Sequence, residues 1–183
     1  PARVFGSYPH ELSGGMKQRI MIAMALSCGA ELLIADEPST ALDVTIQAQI
    51  LALLSDLCQS QGVSILLITH DLGVVAETCN RVGVAYAGSI VEMGAADDVL
   101  YRMKHPYTLG LLGALPRPTH RGKALQSIEG SVHDGLHLPP GCPFHPRCPR
   151  VMEVCLETMP PLYPAGNEEH VAACHLYAEG VPE

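Results

Sequence analysis

The chain has 183 residues, of which 48% are hydrophobic and 16% charged, with 11 lysines and arginines against 19 aspartates and glutamates. Hydrophobicity this high excludes an intrinsically disordered chain, and the formal charge of −8 argues against a protein that wraps nucleic acid through a broad basic face. The longest apolar run, Ile20 to Leu26, is far shorter than the roughly 18 residues that cross a bilayer, so the sequence predicts no transmembrane segment.

Helix and strand patterns alternate through the first hundred residues. In chain order they predict a helix at Gly14 to Leu26, a strand at Leu32 to Ala35, a helix at Val44 to Gln61, a strand at Val63 to Thr69, a helix at Leu72 to Cys79 and a hairpin of Val82 to Ala87 with Ser89 to Met93. Ser13 and Asp43 are candidate N-caps of the two longer helices. Short apolar strands between helices are typical of a parallel sheet that is buried on both faces, so we expect a layered α/β fold.

The composition changes along the chain. Only Pro1, Pro9 and Pro38 of the 15 prolines precede residue 100, and four of the seven cysteines follow residue 140. We place the boundary between Met93 and His105, which gives an α/β core at residues 1–94 and a Pro- and Cys-rich extension at residues 95–183. The extension is expected to have little regular structure beyond a short amphipathic helix after His105.

Two glycines follow a serine where the first long helix begins. Ser13, Gly14 and Gly15 would place free backbone N–H groups and the positive end of the helix dipole against an anion. Without a side chain, the glycines allow a phosphate to approach the backbone closely. Alone, the same three residues are also typical of an ordinary loop and helix cap.

Acidic and imidazole side chains follow the two predicted strands. Asp36 closes the first strand, where a carboxylate commonly serves Mg²⁺, and Glu37 beside it can hold an attacking water as a general base. His70 follows the second strand and could contact a phosphate or a water. The alternatives are that Asp36 and Glu37 only end a strand and that His70 is a capping group.

The order and spacing of these motifs resemble the ATP-binding subunits of ABC transporters over about residues 7–94. Leu12 to Gln18 is similar to the ABC signature, Leu32 to Glu37 to Walker B with its catalytic glutamate, Ser39 to Asp43 to the D-loop, and His70 to the switch histidine. The resemblance implies the C-terminal part of an ABC-type P-loop NTPase domain, with ATP and Mg²⁺ as cofactors.

The resemblance also implies a role for each matching residue. Ser13, Gly14 and Gly15, with Gln18 in the same motif, would contact the γ-phosphate of ATP held by a partner subunit. Asp36 would support Mg²⁺, Glu37 would polarise water and His70 would contact the γ-phosphate in its own subunit. Asp43 would couple the two sites across the dimer interface.

No G-x-x-x-x-G-K-[ST] motif occurs in the sequence, so the phosphate cradle and its lysine are absent. From the resemblance we expect that about half of the subunit lies upstream of this sequence. The chain by itself is then expected neither to bind ATP tightly nor to hydrolyse it. A sheet without its Walker A strand would also expose apolar edges.

The second part resembles the extension of the oligopeptide/dipeptide importer subfamily, which includes nickel and glutathione importers. The matching segments are residues 104–108, 139–149 and 171–176. The implied function is ATP-driven import of peptides or related small solutes. The implied partners are a homologous ATP-binding subunit, two membrane permease subunits and, indirectly, an extracytoplasmic solute-binding protein. The implied location is peripheral, on the cytoplasmic face of the cell membrane.

Four cysteines lie in the extension with the spacing C-x₅-C-x₆-C-x₁₈-C, at Cys142, Cys148, Cys155 and Cys174. Four thiols in a region with little apolar periodicity suggest a metal that holds the segment together. The spacing lacks the C-x₂-C of common zinc sites and differs from both ferredoxin patterns. Resemblance to the subfamily favours a [4Fe–4S] cluster, with Zn²⁺ second. Four reduced thiols buried as small apolar groups remain the alternative.

Two other functions stay open from the sequence. A non-transport ABC ATPase of DNA repair or translation would share the core motifs but not the extension. A non-catalytic metal-binding interaction module would require residues 105–183 to fold and bind metal without the core.

Overall fold

A computed structural model describes residues 2–38, 40, 42–115, 127–131, 135 and 137–178. The chain divides into two compact units, Pro1–Thr78 and Cys79–Glu183. Within the described residues, none of the helices combines the length and hydropathy that a bilayer crossing requires.

The first unit alternates helices with two short strands. Its elements are α1 (Ala2–Phe5), α2 (Gly14–Leu26), β1 (Leu32–Asp36), α3 (Val44–Gln61), β2 (Ser64–Ile68) and α4 (Leu72–Thr78), with a 3₁₀ turn at Pro9–Glu11. The helices and strands predicted from the sequence are thereby confirmed to within about one residue at each end. Gly62 ends α3 in the left-handed conformation, at φ 68°, which a residue without Cβ adopts freely.

Strands β1 and β2 pair in parallel, with Leu32 opposite Ser64 and Asp36 opposite Ile68. One face of this sheet packs on α2 and α3. The buried cluster there consists of Ile22, Leu33, Ile50, Leu54, Leu57 and Val63. The hydrophobic core of the first unit therefore lies on one side of the sheet.

The other face of the β1–β2 sheet is open, so the expectation of strands buried on both faces is wrong for this chain. Ile34 is 59% exposed, Leu66 51% and Ile68 46%. Side chains alternate across a strand, and in the described residues only one alternating set meets helices. The apolar exposure expected at a sheet edge is thus found on a sheet face.

The second unit is built on an antiparallel sheet. Its elements are β3 (Arg81–Tyr86), β4 (Ser89–Ala95), α5 (Ala96–Tyr101), α6 (Pro106–Gly113), α7 (Val154–Glu157), β5 (Tyr163–Pro164) and β6 (Val171–Ala172). The four strands lie in the order β3-β4-β6-β5 within the described residues. The predicted hairpin is confirmed, and it turns at Ala87 and Gly88, which both have positive φ.

The hairpin belongs to the second unit because β4 pairs with β6 from the far end of the chain. The change in composition had placed the hairpin in the α/β core at residues 1–94. The boundary between the two compact units therefore lies at a different place from the change in composition. The division at residues 94 and 95 remains a prediction about domains in the sequence.

Aromatic rings fill the interior of the second unit. The ring centroids of Tyr86 and Tyr107 lie 4.7 Å apart, and Phe144 packs against both at 5.3 and 5.5 Å. Phe144 is only 2% exposed. This cluster connects the hairpin, α6 and the segment that carries the first of the four late cysteines.

Candidate functional site

Glu37 and His70 meet where β1 and β2 end. Asp36 and Ile68, the last residues of the two strands, are opposite each other in the sheet. The Glu37 carboxylate contacts the His70 ring, with Oε1 at 2.6 Å from Nδ1, and it accepts the backbone N–H of His70 at 3.2 Å. The structure therefore brings together the predicted general base and the predicted switch histidine.

A tight turn sets the direction of the Glu37 side chain. Glu37 has φ 45°, in the left-handed region that residues with Cβ rarely occupy. Its N–H donates to the Ile68 carbonyl at 2.9 Å, and its carbonyl accepts from the N–H of Thr40 at 3.1 Å. These bonds hold the backbone in the conformation that turns the carboxylate toward His70.

Hydrogen bonds lower the pKa of Glu37. The largest cause is the hydrogen bond with His70, and the second is the Thr40 hydroxyl, which donates to Oε2 at 3.0 Å. Both stabilise the ionised form of the carboxyl group. The Glu37 side chain is 35% exposed, so this ionised carboxylate is accessible from solvent.

Asp36 is exposed at the carboxyl end of β1. Among the described residues, no hydrogen bond or ion pair engages its carboxylate. A free carboxylate beside Glu37 fits the hard oxygen ligands that Mg²⁺ prefers.

Two aspartates organise the helices next to this pair. Asp43 caps α3, because its Oδ1 accepts the N–H of Ile46 at 2.9 Å, as the sequence predicted. Asp71 caps α4 and also accepts from the Gln47 side chain at 3.3 Å. Ser39 and Ala41 of the predicted D-loop lie outside the described residues.

The glycine motif opens α2 and packs on the start of α3. A Cβ on Gly15 would lie 2.6 Å from Ile46 Cγ2, and one on Gly14 would lie 3.0 Å from Leu42 Cδ2. Ser13 occupies the N-cap position, but its side chain makes no capping hydrogen bond. The Ser13 hydroxyl is thus left exposed at a helix N-terminus, while Gln18 is half-buried one turn further on.

The described hydrogen bonds link none of Ser13 to Gln18 with Glu37 or His70. That separation fits the expectation that the glycine motif and the acidic pair serve different nucleotides. The roles of these residues remain predictions.

The sequence placed Thr40 in the predicted D-loop without pairing it with Glu37, and it missed Asp71. The hydroxyl of Thr40 is the second donor to Glu37, and Asp71 connects α4 to α3. An Asp immediately before a helix is a recognisable N-cap signal, so Asp71 could have been found. The hydrogen bond of Thr40 with Glu37 depends on the left-handed turn at Glu37, and the residue types of this segment do not predict that turn.

The four late cysteines converge in the second unit. Cys142, Cys155 and Cys174 are buried and Cys148 is half-buried. The pKa of the Cys174 thiol is raised to about 11, chiefly by burial and further by charge on the other three cysteines. Burial also raises the pKa of Cys142 and Cys148. Each thiol therefore lies within electrostatic range of the others.

Backbone N–H groups point at three of these sulfurs. The N–H groups of Phe144 and His145 favour the Cys142 thiolate, that of Arg150 favours Cys148, and that of Leu176 favours Cys174. Such donors stabilise a negative sulfur, which is the form that binds a metal. They only partly offset burial, so without a cation these thiols stay protonated at neutral pH.

The described residues contain no group of three or more His, Cys, Asp or Glu side chains arranged to hold a metal ion. The two nearby histidines make hydrogen bonds with backbone carbonyl groups. His145 Nδ1 lies 2.9 Å from the Cys142 carbonyl, and His175 Nε2 lies 2.9 Å from the Thr158 carbonyl. Both hydrogen bonds fix loop backbone.

Two family models match the chain. Residues 1–40 match the ABC transporter family, and residues 91–155 match the family described as oligopeptide/dipeptide transporter, C-terminal region. The two matches fall on the segments whose motifs carried the resemblance in the sequence.

Curated relatives align with nearly the whole chain. It is 53% identical over 177 residues to the oligopeptide transport ATP-binding protein AppD of Bacillus subtilis, an alignment that covers 97% of this chain and 54% of AppD. It is 57% identical over 155 residues to OppD of Salmonella typhimurium, covering 85% of this chain and 46% of OppD. The chain spans about half the length of the curated relatives it matches.

Among solved structures, the chain is similar to a metal-chelate type ABC transporter in an inward-facing conformation. The TM-score is 0.51 and the sequence identity 33%, over 58% of this chain and 41% of that one. This likeness agrees with the ABC ATPase fold that the motifs imply.

Proposed function

The chain belongs to the ATP-binding proteins of the oligopeptide/dipeptide ABC transporter family, and from that premise we propose that it forms the signature-to-switch part of a subunit that hydrolyses ATP to drive peptide import. The names of its relatives support peptide transport. A match to the oligopeptide/dipeptide C-terminal family disfavours an ATPase of DNA repair or translation, which would lack this extension.

One observation carries the proposed chemistry, namely the contact between Glu37 and His70. A carboxylate held in one orientation by two donors and open to solvent is suited to orient a water molecule as a general base. His70 keeps 84% of its side chain exposed, so its ring remains free to meet a phosphate as well as Glu37.

The other motif residues take supporting roles in this proposal. Asp36 holds Mg²⁺, which neutralises phosphate charge when bound. Ser13, Gly14 and Gly15, with Gln18, meet the γ-phosphate of ATP on a homologous subunit, and the open helix N-terminus at Ser13 supports this. Asp43 lies at the start of α3, from where it relays the state of one nucleotide site to the other.

The proposed assembly contains a homologous ATP-binding subunit and two membrane permease subunits, with an extracytoplasmic solute-binding protein acting on the permeases. The chain would sit peripherally on the cytoplasmic face of the membrane. Family membership supports this arrangement, and no nucleic acid partner is expected from a chain of charge −8.

The role of Glu37 can be tested in a chimera in which this chain replaces the matching 177 residues of Bacillus subtilis AppD, which supplies the remainder of the subunit. Glu37→Gln keeps the hydrogen-bonding shape but removes the base. We expect ATP turnover to fall by about 10²-fold or more, while ATP binding persists.

Glu31→Gln is the matched control, because Glu31 is an exposed glutamate just before the same strand. It should leave turnover unchanged. Undiminished hydrolysis by the Glu37→Gln chimera would refute the general-base role.

We further propose that Cys142, Cys148, Cys155 and Cys174 bind a [4Fe–4S] cluster, with Zn²⁺ as the second choice. Support comes from the convergence of the four thiols and the N–H groups at three sulfurs. These four thiolates would hold the cluster, which would tie the segments of the extension together.

An absorption spectrum of anaerobically purified protein, with iron and zinc analysis, tests this proposal. About four irons per chain, lost on Cys174→Ser, would support the cluster. Zinc without iron would indicate a structural zinc ion in place of the proposed cluster. Absence of both metals would leave four buried reduced thiols and remove the proposal.

A further inference from the structure

A small polar cleft lies entirely within the second unit. Its volume is about 290 Å³, and its lining consists of Asp98, Arg102, Lys104, Gly166, Asn167 and His170. Every side chain in this lining is polar or charged. The nucleotide motifs and the four cysteines contribute none of these residues.

His170 gives the cleft a buried polar wall. The residue is 1% exposed, and its Nε2 lies 2.7 Å from Glu92 Oε1. A Cβ on Gly166 would lie 3.3 Å from His170 Nδ1, so this ring nitrogen faces the glycine side of the cleft. Among the described residues, no hydrogen bond engages Nδ1.

Glu92 fixes which nitrogen of His170 carries the proton. Glu92 is fully buried and accepts the backbone N–H groups of Lys104 and His105, each at 2.8 Å. With the Glu92 carboxylate oxygen as the acceptor of this contact, His170 donates from Nε2. In the neutral ring, Nδ1 is then a hydrogen-bond acceptor directed into the cleft.

Asp98, the acidic residue of the cleft, is already paired with two hydrogen-bond donors. Asp98 accepts from Arg102 Nε at 2.7 Å and from Asn167 Nδ2 at 3.0 Å. These two hydrogen bonds lower the pKa of Asp98, with Asn167 the larger cause. Asp98 is thus an ionised partner of Arg102 and leaves the charge of Lys104 uncompensated.

Lys104 supplies the positive charge that remains. Among the described residues, its ammonium group has no hydrogen-bond or ion-pair partner. A Cβ on Gly166 would lie 3.6 Å from Lys104 Cε, as well as close to His170 Nδ1. The glycine therefore leaves open the space between the ammonium group and the imidazole.

We propose that this cleft binds inorganic phosphate, with Lys104 as the cationic donor and His170 Nδ1 as an acceptor for the P–OH proton. Monohydrogen phosphate offers both groups at once, namely oxygens that accept from Lys104 and one hydroxyl that donates to Nδ1. The exposed edge of the Arg102 guanidinium adds donors at the rim.

This arrangement distinguishes phosphate from sulfate. A neutral imidazole that donates from Nε2 presents a lone pair at Nδ1, and sulfate has no proton to offer it. Sulfate in the cleft would leave the lone pair of a buried nitrogen facing an anionic oxygen. Phosphate is therefore expected to bind at least about tenfold more tightly than sulfate, whereas simple charge attraction would treat the two dianions alike.

Titration calorimetry of the 183-residue chain with inorganic phosphate and with sulfate, at matched ionic strength and about pH 8, tests the proposal. Lys104→Met keeps the length of the side chain and removes its charge. It should weaken phosphate binding at least about tenfold. Arg81→Met, at an exposed cationic residue of β3 that does not line the cleft, is the matched control and should bind as wild type.

Gly166→Ala provides an independent variant, because its Cβ would enter the space between Lys104 and His170. It should abolish phosphate binding while thermal unfolding shows a folded second unit. Equal affinities of the wild-type chain for phosphate and sulfate would overturn the proposal. So would unchanged phosphate binding by the folded Lys104→Met or Gly166→Ala chains.

Discussion

Gly15 illustrates how packing can require a residue that also belongs to a ligand motif. The Cβ of an alanine at this position would lie 2.6 Å from Ile46 Cγ2, a branch methyl that cannot swing away. Gly15→Ala should therefore destabilise the first unit by about 1–3 kcal/mol, because α2 must shift on α3. Urea unfolding followed by circular dichroism measures this change.

Two further variants test the cause. Ile46→Leu removes the branch methyl, so the double variant should recover most of the lost stability. Gly6→Ala is the control, since no atom lies within 4 Å of a Cβ there. If Gly15→Ala unfolds at the wild-type urea concentration, the steric account is wrong.

His105 should make the second unit sensitive to mild acid. Burial lowers its pKa from 6.5 to about 4, opposed by the negative charge of Glu92 and by a hydrogen bond with the Ala173 backbone. Its Nδ1 accepts the N–H of Tyr107 at 3.0 Å and so caps α6 in the neutral form.

Because the folded pKa lies below the unfolded value, the unfolded state binds the proton first. The stabilisation is fully present above pH 6.5 and decreases as the pH falls toward 4, by about 3 kcal/mol in total. Urea unfolding at several pH values measures this loss. His105→Asn keeps a capping oxygen but cannot titrate, so it should flatten the profile. The same slope in both proteins would contradict the assignment to His105.

At this scale the sequence predicted residues whose positions follow from the chain next to them. Asp43 caps the helix that follows it, and Glu37 and His70 each come directly after a predicted strand. The contact of His170 with Glu92 joins residues 78 positions apart. No local pattern records such a contact, and so the phosphate cleft could not be foreseen.

At the scale of elements, the open face of the β1–β2 sheet should promote self-association. Parallel sheets are normally covered on both sides, and here Ile34, Leu66 and Ile68 face outward. Threonine is β-branched and favours strands, so replacing all three residues by threonine keeps the strand propensity and reduces the exposed apolar area.

The triple variant should remain monomeric at concentrations where the wild-type chain associates, with an unchanged far-ultraviolet circular dichroism spectrum. Sedimentation velocity provides the measurement. Leu33→Thr is the control from the buried face, and it should unfold the first unit without improving solubility. Association of the triple variant at wild-type concentrations would show that another surface is responsible.

Element prediction succeeded where length and periodicity were sufficient. The 18 residues of α3 carry a clear helical spacing, and Ala87-Gly88 marks the hairpin turn. Strands β5 and β6 have two residues each, which is too short for an alternating pattern. They form only because β6 can pair with the edge of β4. The sheet of the second unit could therefore not be predicted from the sequence alone.

At the scale of the whole molecule, the boundary of the second unit should lie before β3 and not in the Pro-rich extension. The composition changes near residue 100, but the sheet that holds the extension includes β3 and β4. Glu92 of β4 accepts hydrogen bonds from Lys104, His105 and His170. A piece that begins at residue 105 would leave His170 without its partner and β6 without a neighbouring strand.

Two fragments distinguish these boundaries. Residues 79–183 retain β3, β4 and the buried carboxylate, so they should unfold in one cooperative transition in urea. Residues 105–183 lose the central strand of the sheet and should show no transition, since the remaining two-residue strands cannot form a stable sheet by themselves. Tryptophan is absent, so tyrosine fluorescence and circular dichroism would follow the unfolding. A cooperative transition in the shorter fragment would instead show that the extension folds independently. That result would favour a metal-binding interaction protein over a transporter subunit.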